Sequence, residues 1–229
     1  MKQETVLNDN ETLVRYTDRT TAYGGIKRAN FVGKGRISCS IASLIFDYLE
    51  AHGIKTYYLR PGGERENVCR KVDIIPIHFI VRNFLTGSTA EMLGLEPGYK
   101  PANVVYELKY ENQGLGCPLI NEYHATALGI VTRSEMDWIM DVTSQMNDLL
   151  VKLFDKAGIR LVDYRVDYGR TENGDILLAK EITPDTSRMW DEETGKCLDK
   201  DRYRHDLGYI CDAYQEVLDR LRNTMNNEI

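Results

Sequence analysis

Leu161 apart, Leu161-Val-Asp-Tyr-Arg-Val-Asp-Tyr168 alternates strictly, and few local structures accept it. Val162, Tyr164, Val166 and Tyr168 occupy one set of positions and Asp163, Arg165 and Asp167 the other, which is the period of a β-strand. A second apolar run begins at Ile176 and is reached through Asn173-Gly174, a hairpin signal because both residues tolerate positive φ. The returning strand brings Lys180 beside the charged row, then enters a Pro-interrupted loop carrying Asp185, Ser187 and Arg188. Such a row beside a Thr/Ser/Arg loop fits a phosphate or nucleotide site. It equally fits a solvated hairpin face with cross-strand ion pairs, and the residues alone leave both readings open.

A chain of 229 residues, 42% hydrophobic, can build one large domain or two lobes around an ample core. Its net charge of −6, with acids and bases interspersed, argues against a nucleic-acid coat or a polybasic membrane anchor. No apolar run approaches the roughly 20 residues that span a bilayer, and the opening MKQETVLNDNET lacks the apolar stretch of a signal peptide. Cys39, Cys69, Cys117, Cys197 and Cys211 are widely spaced and odd in number, which reads as reduced thiols, not as a disulfide frame or a zinc site. The four histidines form no metal motif. The expectation is a soluble cytoplasmic protein with no metal, nucleic-acid or membrane partner.

Leu13–Tyr16 reads as a short strand, and Gly33-Lys-Gly35 precedes an amphipathic run, 36–52, that Gly53 closes. Strand-like runs follow at 55–59, 72–75, 77–83 and 104–110. Thr132-x-x-Glu135 is a capping box opening a helix of about seven turns, with Met136, Ile139, Met140, Met146, Leu149, Leu150 and Leu153 as its apolar stripe. A closing helix is expected over 206–225. Strands early and mainly antiparallel, helices later, and no repeat or linker imply an α+β fold, with a β-rich lobe over about 1–75 and a larger lobe over 76–229.

Several short motifs carry chemistry. Arg82-Asn-Phe-Leu-Thr-Gly-Ser88 sets a guanidinium at a strand end before a Gly-Ser turn into a short helix, a pattern suited to phosphate and equally to an ordinary helix cap. Gly33-Lys-Gly35 lacks the full P-loop pattern. Asp199-Lys-Asp-Arg-Tyr-Arg204, taken alone, reads as a solvated turn. Cys117 could be a thiol nucleophile but has no base at a recognised spacing, so a structural role fits it better.

In order, GKG, IIPxxxxVRNxxxGS, PLINE, LVDYRVDYG, LLAKEITPDTSRMWD and LDKDRYR resemble the SAICAR synthetase family over about residues 12–221. The resemblance implies an α+β, two-lobed fold with an antiparallel β-rich N-terminal lobe and an α/β C-terminal lobe. It also implies an enzyme that uses ATP and Mg²⁺ to join aspartate to the carboxylate of an aminoimidazole ribonucleotide. The family's RN…GS and SPDxxR motifs stand here as Arg82, Asn83, Gly87, Ser88 and Thr183, Pro184, Asp185, Arg188. They imply a 5′-phosphate held by Arg82, Ser88 and Arg188, with Asn83, Gly87, Asp185 and Ser187 around the substrate.

Other positions depart from the family pattern. The opening Gly-Lys-x-Lys strand, expected to be cut short, becomes Met1-Lys2-Gln3-Glu4. The Mg²⁺-holding acids become Asp167 and Lys180, and an ammonium supplies no oxygen ligand. The reaction-centre segment becomes Glu111-Asn112-Gln113 with Cys117, and Asp-Asp-Ala-Thr becomes Asp18-Arg19-Thr20-Thr21. These losses fall together on groups that serve one transferring phosphoryl group and its acceptor.

The pattern predicts a relative that binds a phosphoribosyl imidazole or purine-derived nucleotide and works on the base without ATP, as in nucleoside natural-product pathways of the coformycin and pentostatin type. Asp163, Arg165, Asp167 and Lys180 are its expected catalytic set, with Glu111 and Cys117 secondary and no cofactor expected. Two alternatives stand beside it: a SAICAR synthetase using ATP and Mg²⁺ in purine biosynthesis, and a non-catalytic nucleotide-binding paralogue. The resemblance leaves room for a homo-oligomer.

Overall fold

A computed structural model of the chain describes residues 2–227. Its elements run β1 (Lys2–Val6), β2 (Glu11–Tyr16), β3 (Arg19–Ala22), β4 (Lys27–Asn30), α1 (Lys34–Ala51), β5 (Tyr58–Gly63), β6 (Glu66–Arg70), β7 (Asp73–Ile74), β8 (Ile77–Arg82) and α2 (Gly87–Met92). They continue with β9 (Val105–Tyr110), β10 (Leu119–Ile120), α3 (Glu122–Ala127), α4 (Arg133–Lys156), β11 (Ile159–Val166), β12 (Tyr168–Arg170), β13 (Ile176–Leu178), β14 (Ser187–Asp191), α5 (Asp201–Arg204) and α6 (Ile210–Asn226). The fold is α+β and every strand ladder is antiparallel.

One sheet, ordered β1-β2-β6-β5, is built from residues before 71; a second, β10-β9-β8-β11-β14, forms the centre of the molecule. Where a shortened first strand is expected, Lys2–Val6 forms a five-residue edge strand paired with β2 along its length. The β3–β4 hairpin and β6 carry too few apolar residues for periodicity to reveal them; they exist because neighbouring strands complete their hydrogen bonds.

The Leu161–Tyr168 run proves to be two strands. β11 ends at Val166, and β12 belongs to a separate small sheet with β13 and β7, so Asp167 sits at the junction between sheets. Asn173-Gly174 does turn the chain, with Gly174 at φ +86°. The charged row is no solvated face: Asp163 and Asp167 are 5% and 6% exposed. A bulge between Leu161 and Asp163 sets Asp163 opposite Arg188 on β14, while Arg82 on β8 faces it from the other side. One carboxylate is thereby set between two arginines by strand register.

Thr132 and Glu135 cap α4 reciprocally, as the pattern predicts. Met136, Ile139, Met146, Leu150 and Leu153 are fully buried, with Met140 and Leu149 at the margin of the core. Two boundaries move. The strand expected from residue 55 starts at Tyr58, Thr56 making only an isolated bridge to Leu178. The closing helix begins at Ile210 because Asp206, Gly208 and Tyr209 all have positive φ, which a helix does not accommodate. No described helix is long and apolar enough to cross a membrane.

Gly33-Lys-Gly35 has a packing reason. Gly33 takes φ +91° before α1, and a Cβ at Gly35 would lie 2.5 Å from the Tyr16 carbonyl oxygen. Gly35 N–H also donates to Asp18 Oδ1 at 2.9 Å. Backbone cannot give way as a flexible side chain does, so Gly35→Ala should cost about 1–3 kcal/mol, measured by denaturant unfolding.

Candidate functional site

The buried Asp163, Asp167, Asp199 and Asp201, with the partly buried Asp185, organise the charged groups of the site. Asp163 Oδ2 accepts from Arg82 Nη1 and from Arg188 Nη1, each at 2.8 Å. Arg82 Nη2 donates to Glu107 Oε2 at 2.8 Å, and Thr89 Oγ1 donates to the other oxygen of the same carboxylate at 2.8 Å. Burial works against the Glu107 charge, but Arg82 and Thr89 hold its pKa below the usual range. Arg188 Nε donates to Asp201 Oδ2 at 2.8 Å, and its Nη2 lies 3.2 Å from where a Gly87 Cβ would stand. Gly87, at φ +57°, therefore allows the chain to approach the guanidinium closely. Burial disfavours the Arg188 charge, yet Asp163 and Asp201 more than offset it and fix the cation.

Asp167 anchors the second group. His78 Nδ1 lies 2.9 Å from its Oδ1; Lys180 Nζ and Arg165 Nη2 lie 3.1 and 3.6 Å from its Oδ2. Burial opposes ionisation here, but His78, Lys180 and Arg165 hold the carboxyl well below the ordinary range. His78 Nε2 is 3.8 Å from Glu111 Oε1, which ties Glu111 to the cluster. The donor set does not fit Mg²⁺, because both Asp167 oxygens face cations or an imidazole and Lys180 offers no lone pair. Among the described residues no three His, Cys, Asp or Glu side chains gather to hold a metal ion. Lys2, at the place of a triphosphate lysine, lies 3.1 Å from Glu4 Oε1 and 3.1 Å from Glu181 Oε2.

Asp185 is bonded to the fully buried Lys34 and accepts from Tyr214 Oη at 2.9 Å. The run 199–204 is not a solvated turn: Asp199 is wholly buried and accepts from Met189 N at 2.7 Å and Asp201 N at 2.6 Å. Burial, then the neighbouring Asp201 charge, pushes Asp199 up to about 7.

The structure therefore gathers Asp163, Arg82, Arg188 and Gly87 into one cluster and Asp167, Lys180, Arg165 and Glu111 into another. Ser88 is exposed at the start of α2, and Ser187 Oγ is buried without a hydrogen-bond partner. Asn83 turns elsewhere: its amide pairs reciprocally with Asn147, at 3.1 and 2.9 Å, beneath α4. Cys117, at φ +52° in the loop before β10, is a free, half-buried thiol whose backbone N–H donates to the Asn112 carbonyl. Arg82 has both terminal nitrogens engaged by carboxylates, so it braces Asp163, and Arg188 is the arginine facing Gly87. His78 and Glu107 escaped the sequence reading. Each sits in an alternating strand where a lone polar residue gives no signal, and only cross-strand register shows its partner.

A family model for SAICAR synthetase matches residues 4–221. The chain belongs to the SAICAR synthetase family. It is 46% identical over 211 residues to the phosphoribosylaminoimidazole-succinocarboxamide synthase of Clostridium perfringens, covering 92% of this chain and 89% of that protein. The namesake protein of Fusobacterium nucleatum is 46% identical over 209 residues, covering 91% and 88%. Among solved structures, a SAICAR synthetase in complex with ADP superposes at TM-score 0.93 with 38% identity, covering 96% of this chain and 94% of that one. SAICAR synthetase from Pyrococcus horikoshii OT3 gives 0.93 and 36%, covering 97% and 98%. The α+β fold of antiparallel sheets and helices expected from the family resemblance is thus found.

Two outcomes follow from the buried charges. Asp163→Ala leaves two arginines without their shared carboxylate and should cost about 3–5 kcal/mol in unfolding free energy. Asp199 has a folded pKa above its unfolded one, so its stabilising contribution is full below the unfolded value and is lost as pH rises towards about 7. The stability difference between wild type and Asp199→Asn should accordingly shift in favour of the variant between pH 4 and pH 8, as followed by urea melts.

Proposed function

We propose that this enzyme binds an aminoimidazole or purine-derived ribonucleotide through its 5′-phosphate at the Arg188–Gly87–Ser88 corner and acts on the base without ATP-driven ligation. The observation that carries this reading is the Lys180 ammonium, 3.1 Å from Asp167, where the family pattern has a second metal-binding acid. Replacing an anion by a cation inverts the local field. A site so changed stabilises negative charge developing on a bound base and repels a divalent cation. Arg165 adds to that field, and His78, held by Asp167, offers an imidazole for proton transfer next to Glu111. Asp163 serves by positioning Arg188, since its Oδ2 already accepts from two guanidinium groups.

A second reading has its own support. Relatives 46% identical over nine-tenths of the chain are named as phosphoribosylaminoimidazole-succinocarboxamide synthases, which favours ATP- and Mg²⁺-dependent joining of aspartate to a carboxyaminoimidazole ribonucleotide. These named relatives point to the ligase and carry no pointer to natural-product chemistry. The divergence at residues 2–4, 167 and 180 is what weighs against it.

Calorimetric titration separates the two. Aminoimidazole ribonucleotide should bind, and Arg188→Gln should weaken it at least tenfold, about 1.4 kcal/mol. ATP with Mg²⁺ should give no heat, and no phosphate should be released with aspartate and the carboxylated ribonucleotide present. Aspartate-dependent phosphate release would establish the ligase in its place.

A further inference from the structure

His78 and Glu111 face each other across the β8–β9 ladder. His78 is paired with Lys109, and two residues further on the Glu111 N–H donates to the Pro76 carbonyl at 2.9 Å. The side chains of His78 and Glu111 are therefore diagonal neighbours on one face of the sheet. His78 is 5% exposed, whereas the Glu111 side chain is 39% exposed. Glu111 lies two residues before Gln113, which lines a cavity of about 800 Å³ together with Arg165, and Arg165 also reaches Asp167 at 3.6 Å. A buried imidazole is thus linked to the edge of that cavity through a partly exposed carboxylate.

The tautomer of His78 follows from its partner. Asp167 is held well below the ordinary carboxyl range, so it is ionised and can only accept. His78 Nδ1, 2.9 Å from Asp167 Oδ1, is accordingly the donor, while Lys180 and Arg165 stand at the other oxygen, Oδ2. In a neutral imidazole this leaves a lone pair on Nε2, the nitrogen near Glu111 Oε1. Two acceptors share no hydrogen bond, which accounts for a separation of 3.8 Å. A proton arriving on either group turns the pair into a donor and an acceptor.

We propose that Glu111 and His78 form a proton relay for the base of the bound ribonucleotide. A proton leaving a ring N–H or C–H of the base goes to the Glu111 carboxylate and passes from it to His78 Nε2. The base keeps the electron pair, and the imidazolium so formed keeps its Nδ1–H on Asp167. The return trip delivers the proton to a different atom of the base, so the net step is a tautomerisation that consumes no co-reactant. Lys180 and Arg165, both beside Asp167, supply the positive field that the transient anion requires. The assignment rests on the preceding reading for the identity of the base; the Asp167–His78–Glu111 chain is a property of the protein alone.

The test follows the His78 ring nitrogens by NMR in the full chain carrying isotope-labelled histidine, with the signals assigned by their loss in His78→Gln. Nδ1 should carry the proton. Nitrogen relaxation dispersion should show Nε2 gaining and losing its proton at least tenfold more slowly in Glu111→Gln, whose folding is checked by circular dichroism. Saturation with aminoimidazole ribonucleotide should slow the same exchange at least tenfold in wild type, because the base covers Glu111. An Nδ1 without its proton, or an exchange rate at Nε2 that is unchanged in folded Glu111→Gln, overturns the proposal. Unchanged exchange in wild type with ribonucleotide bound overturns it equally. Failure of ribonucleotide to bind wild type, with exchange at Nε2 still governed by Glu111, would count against the preceding reading alone and support the relay.

Discussion

The pairing of Asp163 with Arg82 and Arg188 is the constraint on which the site depends. A buried carboxylate, the buried Arg82 guanidinium and the half-buried Arg188 guanidinium are each costly alone, and they become tolerable only when register places them within hydrogen-bond reach. Three strands must align to achieve this, β8 and β14 on either side of β11, with a bulge correcting the phase on one side. Glu107 and Asp201 extend the network outward, so that Thr89, the α2 start and α5 are tied to the same charge. The corner formed by Arg188 and Gly87 is thus held by charges that are balanced inside the protein.

The neighbouring cluster follows the same logic with a different outcome. Asp167 sits where one sheet stops and another starts, and its two oxygens are directed at groups from β8, β11 and the loop after β13. With Lys180 in that loop, the carboxylate becomes the centre of a positive shell. The chain keeps the family's architecture at a TM-score of 0.93 while the sign of charge at this point is reversed. Backbone geometry depends on apolar burial and strand pairing, which these substitutions leave alone. Chemistry depends on a few charges, which they change.

Much of the fold was legible from local pattern. The alternation in 161–168, the Asn173-Gly174 turn, the Thr132–Glu135 capping box and the stripe of α4 each reflect interactions within a few residues, and each appears in the structure. What pattern missed was non-local. β6 and the β3–β4 hairpin are stabilised by partners elsewhere, and the start of α6 is delayed by three positive-φ residues without a strong sequence mark. The run 199–204 reads as a surface turn by composition, yet Asp199 is buried, because its carboxylate closes backbone hydrogen bonds at Met189 and Asp201.

For the site, the sequence by itself determined which charges were available and which family motifs they filled: Arg82, Gly87, Arg188, and the inverted pair Asp167 and Lys180. Only the tertiary structure decided how each was used. Arg82 braces instead of facing outward, and Asn83 pairs with Asn147. His78 and Glu107 enter the site unannounced, and Arg19, Arg28 and Lys200 converge with Arg165 on one cavity. The physical reason is that a side chain's role follows from its burial and its cross-strand partners. Those partners are set by register and packing between segments far apart in the chain, which no local pattern encodes.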